Sequence, residues 1–376
     1  KTTGCRTTMA DAPDGALANA RVLIDQAALV SNYRLLAARA APARCAATVK
    51  ADGYGLGVAH IVPPLGDAGC TTFFVATVGE GVAVRALAPA AEIYVLGGHL
   101  PDIVPELCKH KLSPVLNTCD AARMWRTVGG DAPAAIHIDT GMNRLGLSPN
   151  EVAALQTDAD LRGAINISLL MSHLACGDDL DHPMTARQSA AFNTARDLFP
   201  EALTSLANSA GTLARSVGER DLARPGIALY GGAALNDVTN EMAPVATLEA
   251  RVLQVRKDWD EPTVGYGATY DLGGVRRLAT LGIGYADGLP RHLSAATGER
   301  GAEFYCAGHM APVVGRVSMD LTTIDVSALP DNAIAPGDWV EVFGPHVALD
   351  TQAAHAGTIG YELLVRVAPR VARMVV

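Results

Sequence analysis

RCAATVKADGYGLG, residues 44–57, runs an apolar, strand-like segment into Lys50 and then sets three glycines around Tyr54. Taken alone, such a string means a surface lysine beside a flexible loop. The pattern recurs, however, in TTFFVAT (71–77), EIYVLGG (92–98), LSPVLNT (112–118), AAIHIDT (134–140), ISLLMSH (167–173), LTSLANS (203–209) and a short LAR (222–224). Short apolar runs of this kind are typical of strands covered on both faces of a parallel sheet. Between them lie helical patterns such as DAARMWRTVGG (120–130), PNEVAALQTDADLRG (149–163) and MTARQSAAFNTARDLF (184–199), several opening with Pro, Asp or Asn and closing at Gly or Pro, as helix ends prefer. Eight βα units in succession predict an α/β fold with an eight-stranded (β/α)8 TIM-type barrel; a doubly wound open sheet is the alternative.

After Asn236 the texture changes. VATLEARVLQVRKDW (245–259), TVGYGATY (263–270), RLATLGIGYADG (277–288), APVVGRVSM (311–319), LTTIDVS (321–327) and DWVEVFG (338–344) are strand-like runs broken by Gly, Pro and Asp. The expected organisation is a barrel over 20–235 followed by a mostly β C-terminal domain over 236–376, which also recruits ARVLID near residue 22. A chain of 376 residues suits two domains, and its apolar share of 49% can fill their cores. The net charge of −9 argues against nucleic acid, which needs clustered Lys and Arg. Seven scattered cysteines (Cys5, Cys45, Cys70, Cys108, Cys119, Cys176, Cys306) imply reduced thiols rather than a disulfide framework or zinc knuckle. No metal ligand set stands out, and His60, His99 and His110 read as structural. With no secretory or membrane-spanning apolar run, the protein is expected in the cytoplasm. Lys1–Thr8 precede Met9 and take no part in the fold reading.

In such barrels catalytic groups come from the carboxyl ends of strands. Lys50 ends the first, Arg144 follows the fifth, His173 ends the sixth, Asn208 and Ser209 end the seventh, and Arg224 ends the eighth. The Ser209 hydroxyl and the N–H groups after Pro225, where Gly226 lets backbone approach, suggest a phosphate pocket. Such a pocket with a lysine across the rim, and no Walker or GxGxxG string, points to a cofactor with a phosphate and an electrophilic carbonyl. Pyridoxal 5'-phosphate fits: lysine forms a Schiff base with its aldehyde once burial or neighbouring cations lower the amine pKa from about 10.4.

With these residues assembled, the chain resembles the alanine racemases, pyridoxal phosphate enzymes of two-domain barrel type. TVKADGYGLG, HIDTGMNRLG, SHLA, NSAG, RPGIALYG, VGYGATY, GIGYADGLPR, GRVSMD and TIGYE fall in the family's order over about residues 20 to 370. The resemblance implies that Lys50 carries the cofactor, that Tyr54, Ser209, Gly226, Ile227 and Tyr361 contact its phosphate, and that Arg224 faces the pyridine nitrogen. It further implies a second base, Tyr266, supplied by the partner subunit of a head-to-tail homodimer, with His173 linked to Arg224 and tuning the tyrosine. Arg144 and the backbone at Met319 would hold the substrate carboxylate, while Tyr285 and Tyr361 narrow the entrance. The activity implied is racemisation of L- and D-alanine by two bases, supplying D-alanine for peptidoglycan. One departure is His137, where many relatives carry a lysine that becomes carbamylated and steadies the arginine of DTGMxR.

Simpler roles stand beside these. Asn208 is equally a helix cap, Tyr266 and Tyr285 are aromatic plugs in turns, and Arg316 and Asp320 form an ion pair. Among functions, the alternatives are a broader amino-acid racemase, a barrel-type decarboxylase of basic amino acids, and a non-catalytic cofactor carrier. The decarboxylases place an acidic residue at the pyridine nitrogen, and the carriers lack the second domain.

Overall fold

The computed structural model describes residues 17–97, 101–163, 165–216, 220–299 and 301–376. Lys1–Thr8 and His99 lie outside the described residues. Two compact units form: Asp25–Val245, and Ala246–Val376 together with the described residues 17–24. The division thus falls ten residues beyond 235, and residues 20–24 belong to the second unit rather than the first.

In the first unit all eight expected strands appear. Seven pair in chain order and in parallel, from Ala47–Thr48 through Thr72–Val75, Glu92–Val95, Ser113–Leu116, Ala134–His137 and Ile167–Met171 to Leu203–Ser205. The first strand is interrupted at Ala46, and its opening half, Arg44–Cys45, pairs with Leu222–Ala223. Asp221 N–H donates to Thr204 O and Arg224 N–H to Ala207 O, so the last two strands also lie side by side. The sheet therefore closes as a barrel. Its filling includes Ala46, Phe74, Tyr94, Val115, Ala135, Leu169, Met171 and Leu222, drawn from seven strands. Phe74 stacks on Tyr94 with centroids 5.0 Å apart.

Helices follow most of the strands, and several of their starts are capped by the residues that end the connecting loops. Thr77 and Ser148 each form a reciprocal capping box with a glutamate three residues on, Glu80 and Glu151. Asn32, buried on the first helix (Gln26–Ala40), donates to Leu229 O and Ala243 O and accepts from Ala243 N–H. That one side chain ties the first helix to the backbone on either side of residues 230–242.

In the second unit the long strand Ala246–Arg256 is the organiser. It pairs antiparallel with Ala20–Ile24, Trp339–Phe343 and Leu278–Leu281. The ARVLID segment is a strand here because alternate residues Ala20, Val22 and Ile24 are buried, and it also pairs in parallel with Ala372–Val375. Trp339 is flanked by two guanidinium groups, Arg21 at 4.0 Å and Arg251 at 4.7 Å from the ring centroid. The unit is mostly β, with two short helices, Leu349–His355 and Gly360–Val365.

Phe74→Ala removes a fully buried ring at the centre of the barrel filling and should reduce the unfolding free energy by about 3–5 kcal/mol. Urea denaturation measures this, and an unchanged midpoint would contradict the packing described.

Candidate active site

The chain leaves the first barrel strand at Lys50 and enters a left-handed turn. Ala51, Asp52 and Gly53 have φ of 53°, 53° and 65°, followed by Tyr54 at 55° and Gly55 at 83°. Glycine adopts this conformation freely, but each L-residue with a Cβ is disfavoured there by roughly 1–2 kcal/mol. Hydrogen bonds offset the strain: Gly53 N–H to Val49 O, Gly55 N–H to Ala51 O, Gly57 N–H to Asp52 O, and Val58 N–H to Asp52 Oδ1, all 2.8–2.9 Å. The turn buries Tyr54, whose ring stacks on Tyr230 with centroids 4.4 Å apart. Tyr230 in turn donates to Thr48 O at 3.0 Å.

Beside this turn lies an anion cradle. Ser209 Oγ accepts the Gly226 N–H at 2.8 Å and the Ala228 N–H at 3.3 Å. A Cβ on Gly226 would come within 2.2 Å of the Tyr54 hydroxyl, so only glycine allows backbone, Ser209 and Tyr54 to converge. Ile227, fully buried, opens the short 3-10 turn Ile227–Tyr230 that follows. Asn208 takes the capping role instead: its Oδ1 accepts the Gly211 N–H at 2.9 Å. Because the first and eighth strands are neighbours, with Thr48 N–H donating to Pro225 O, Lys50 stands next to the cradle rather than across the rim.

Cations dominate the mouth. Arg224 is 5% exposed and donates to Ser205 Oγ and to Ser172 O, with its guanidinium over the Phe74 ring. Burial lowers its pKa to about 10, so it stays protonated at neutral pH. Lys50 projects from the mouth, and desolvation by its surroundings, then Arg144, lower its pKa, while Glu80 opposes them. Desolvation and Arg224 together push His137 down to about 4 and His173 to about 3. Both imidazoles are therefore neutral, and the positive charge at this mouth belongs to Arg224, Arg144 and Lys50, not to His173 as the tuning role requires. His137 Nδ1 lies 2.8 Å from Asn117 Oδ1, which makes Nδ1 the protonated nitrogen. The loop carrying the exposed Arg144 is shaped by Asp139, whose Oδ1 accepts from Gly141 N–H and Asn143 N–H.

Two residues escaped the sequence reading. Gln188, fully buried on the helix Pro183–Arg196, donates to His173 O and Thr140 Oγ1 and accepts from Ala175 N–H, linking the loops after the fifth and sixth strands. Glu80 reaches the turn after Lys50. The T-x-x-E capping signal was readable, but not where the carboxylate points.

In the β-rich unit, Tyr266 is 70% exposed and Tyr285, Met319 and Tyr361 are also exposed. Tyr285 N–H donates to Ser318 O and Ala286 N–H to Met319 O, which joins those two strings. The turn bearing Tyr266 packs on Arg316, since a Cβ on Gly267 would lie 3.1 Å from Arg316 Nη1. Asp320 pairs with Arg370 at 2.7 Å, not with Arg316, because Arg370 already bridges to Asp287 alongside it.

The donor set of the barrel mouth fits pyridoxal phosphate: the Ser209 and Tyr54 hydroxyls beside the close-approaching backbone at Gly226 for a dianion, an amine of lowered basicity, and a guanidinium that keeps its proton. Among the described residues no group of three or more His, Cys, Asp or Glu is placed to hold a metal ion. No helix among them is long and apolar enough to cross a membrane.

Residues 24–234 match the family profile "Alanine racemase, N-terminal domain", and residues 245–375 match "Alanine racemase, C-terminal domain". The chain is 43% identical over 361 residues to an alanine racemase of Rhizobium meliloti, covering 94% of this chain and 95% of the relative. It is 44% identical to "Alanine racemase, biosynthetic" of Agrobacterium fabrum, covering 92% and 90%. Its fold superposes on the crystal structure of the alanine racemase of Bartonella henselae "with covalently bound pyridoxal phosphate" with a TM-score of 0.88 and 37% identity, over 96% of this chain and all of that one. By profile, by relatives and by fold, the chain belongs to the alanine racemase family.

Proposed function

We propose that the protein interconverts L- and D-alanine with pyridoxal 5'-phosphate, supplying D-alanine for peptidoglycan. The observation that carries this is the convergence on one barrel mouth of Lys50, the Ser209–Gly226–Tyr54 cradle and the buried Arg224. The naming of one relative as biosynthetic supports the cell-wall role. The six described cysteines are free thiols, in keeping with a cytoplasmic site of action.

When bound, the cofactor supplies an aldehyde for amines and a ring that withdraws electrons from the α-carbon. The rest falls to the chain. Ser209 and Tyr54 with the backbone at Gly226 and Ile227 would hold the phosphate, Tyr361 would add a contact, and Asn208 fixes the start of the helix that carries Ser209. Arg224 would face the ring nitrogen with a guanidinium that does not surrender its proton, which would limit the electron withdrawal and suit a brief loss of the α-proton. Racemisation takes a proton from one face of the α-carbon and returns one to the other. Tyr266 Oη takes it from L-alanine and Lys50 Nζ from D-alanine. Burial and Arg144 favour the neutral amine that this requires of Lys50. Arg144 and the backbone at Met319 hold the carboxylate, and Tyr285 and Tyr361 restrict the side chain to methyl size. The exposure of Tyr266, Tyr285 and Met319 supports their assignment to the active site of a second copy in a head-to-tail homodimer.

Shared sites give a direct test. Lys50→Ala and Tyr266→Phe should each be inactive alone. Mixed and allowed to exchange subunits, they should recover about a quarter of wild-type activity, because half the dimers are mixed and each holds one intact site. No recovery, with exchange demonstrated, contradicts the sharing.

Gly226→Ala places a methyl against the Tyr54 hydroxyl, an overpacking of roughly 1–3 kcal/mol. The dissociation constant for pyridoxal phosphate should rise by about tenfold to a hundredfold; equal affinity would remove Gly226 from the cradle.

The histidines set a pH dependence of stability. Their folded pKa values of about 4 and about 3 lie below the roughly 6.5 of the unfolded chain. As pH falls through about 6.5 toward 4, the unfolded chain binds protons that the folded chain refuses, so stability is lost in that window. Melting temperature measured from pH 7 to 4 should fall less steeply for His137→Gln than for the wild type. Parallel curves would count against a buried neutral His137.

A further inference from the structure

Glu80 stands on the helix Val78–Leu87, after the second barrel strand, yet it reaches across to the first. Its Oε1 accepts the Ala51 N–H at 2.8 Å, and its Oε2 accepts the Ala76 N–H at 2.7 Å and the Thr77 N–H at 3.2 Å. We propose that Glu80 is a positioning residue for Lys50, its carboxylate clamping the left-handed turn that follows the lysine to the end of the neighbouring strand.

Three observations carry this. Ala51 is the first residue of the strained turn, and its N–H is the donor directly after Lys50, so the bond fixes the peptide from which the lysine side chain departs. The three donors face both oxygens, so only a group accepting on both sides fits. A glutamine would turn an NH2 group toward at least one N–H. An ordinary capping box needs only the bond to the N-cap backbone, so the reach to Ala51 goes beyond what the helix requires. Among the described residues Glu80 is also the carboxylate that counters, at Lys50, the charge of Arg144 from the loop after the fifth strand. It therefore favours the protonated amine while fixing the amine's origin.

The inference rests on Lys50 being the cofactor-bearing amine, and the test keeps the two apart. In the cofactor-free protein, competitive labelling of amines across a pH range, read by mass spectrometry of the Lys50 peptide, reports the basicity of Lys50 whether or not the protein is a racemase. Glu80→Gln should move the half-labelling point of Lys50 to lower pH and, with the cofactor restored, reduce kcat by roughly tenfold to a hundredfold, the scale of a small misplacement. Thr77→Ala removes the cap from the same helix and is the control: it should lower the melting temperature and leave both readouts near wild type. Labelling and kcat unchanged in Glu80→Gln, or reproduced by Thr77→Ala, would overturn the assignment. Should Glu80→Gln not fold, hydrogen exchange of the Ala51 amide in the wild type decides: protection supports the clamp, and exchange at the rate of an open loop refutes it. A wild type that fails to racemise alanine would sink the parent function and leave the labelling result standing.

Discussion

Closure of the barrel at the seam between its first and eighth strands is the constraint on which the site depends. Arg44–Cys45 binds the eighth strand and Ala47–Thr48 the second, so a single interrupted strand joins both edges of the sheet. Because of that seam, Lys50 emerges beside Gly226 and Arg224, although 174 positions separate Lys50 from Arg224 in the chain. The eighth strand is only two residues long, and the bonds of Ala46 and Thr48 to Ala223 O and Pro225 O extend the pairing toward the mouth. The lysine and the anion cradle are thus positioned by one ladder, rigid on both sides, as a site that must hold a reacting atom requires.

The electrostatics of the mouth run against those of the whole chain. A protein with a net charge of −9 gathers Lys50, Arg144 and Arg224 around one opening and admits few carboxylates to it. Low polarity and cation proximity then act together. They keep His137 and His173 neutral, lower the basicity of Lys50, and leave Arg224 charged because guanidinium starts so high. The result is a surface prepared for anions, with one amine whose hold on its proton is weakened.

Much of this was readable before any coordinates. The strand runs could be recognised because parallel strands buried on both faces carry continuous apolar residues, and the residues that end them fell on one rim by the geometry of the barrel alone. Tertiary contact decided the rest. The glycines around Tyr54 announced a turn, but not that Ala51, Asp52 and Tyr54 would share the left-handed conformation, which depends on Glu80 and on Asp52 binding Val58. Asn208 could cap or contact an anion, and only the position of the Gly211 N–H settled its oxygen as a cap. The link of His137 to Asn117 crosses between adjacent strands, and that of Asp320 to Arg370 spans 50 positions, so no local pattern encodes either.

The central claim is that this mouth moves a proton between the two faces of an amino-acid α-carbon. It is tested most directly by incubating L-alanine with the protein and pyridoxal phosphate in deuterated water, following circular dichroism and the mass at the α-position together. Decay of the dichroism to zero with one deuterium gained is the predicted result. Retained chirality without deuterium, with the cofactor bound, would contradict the account.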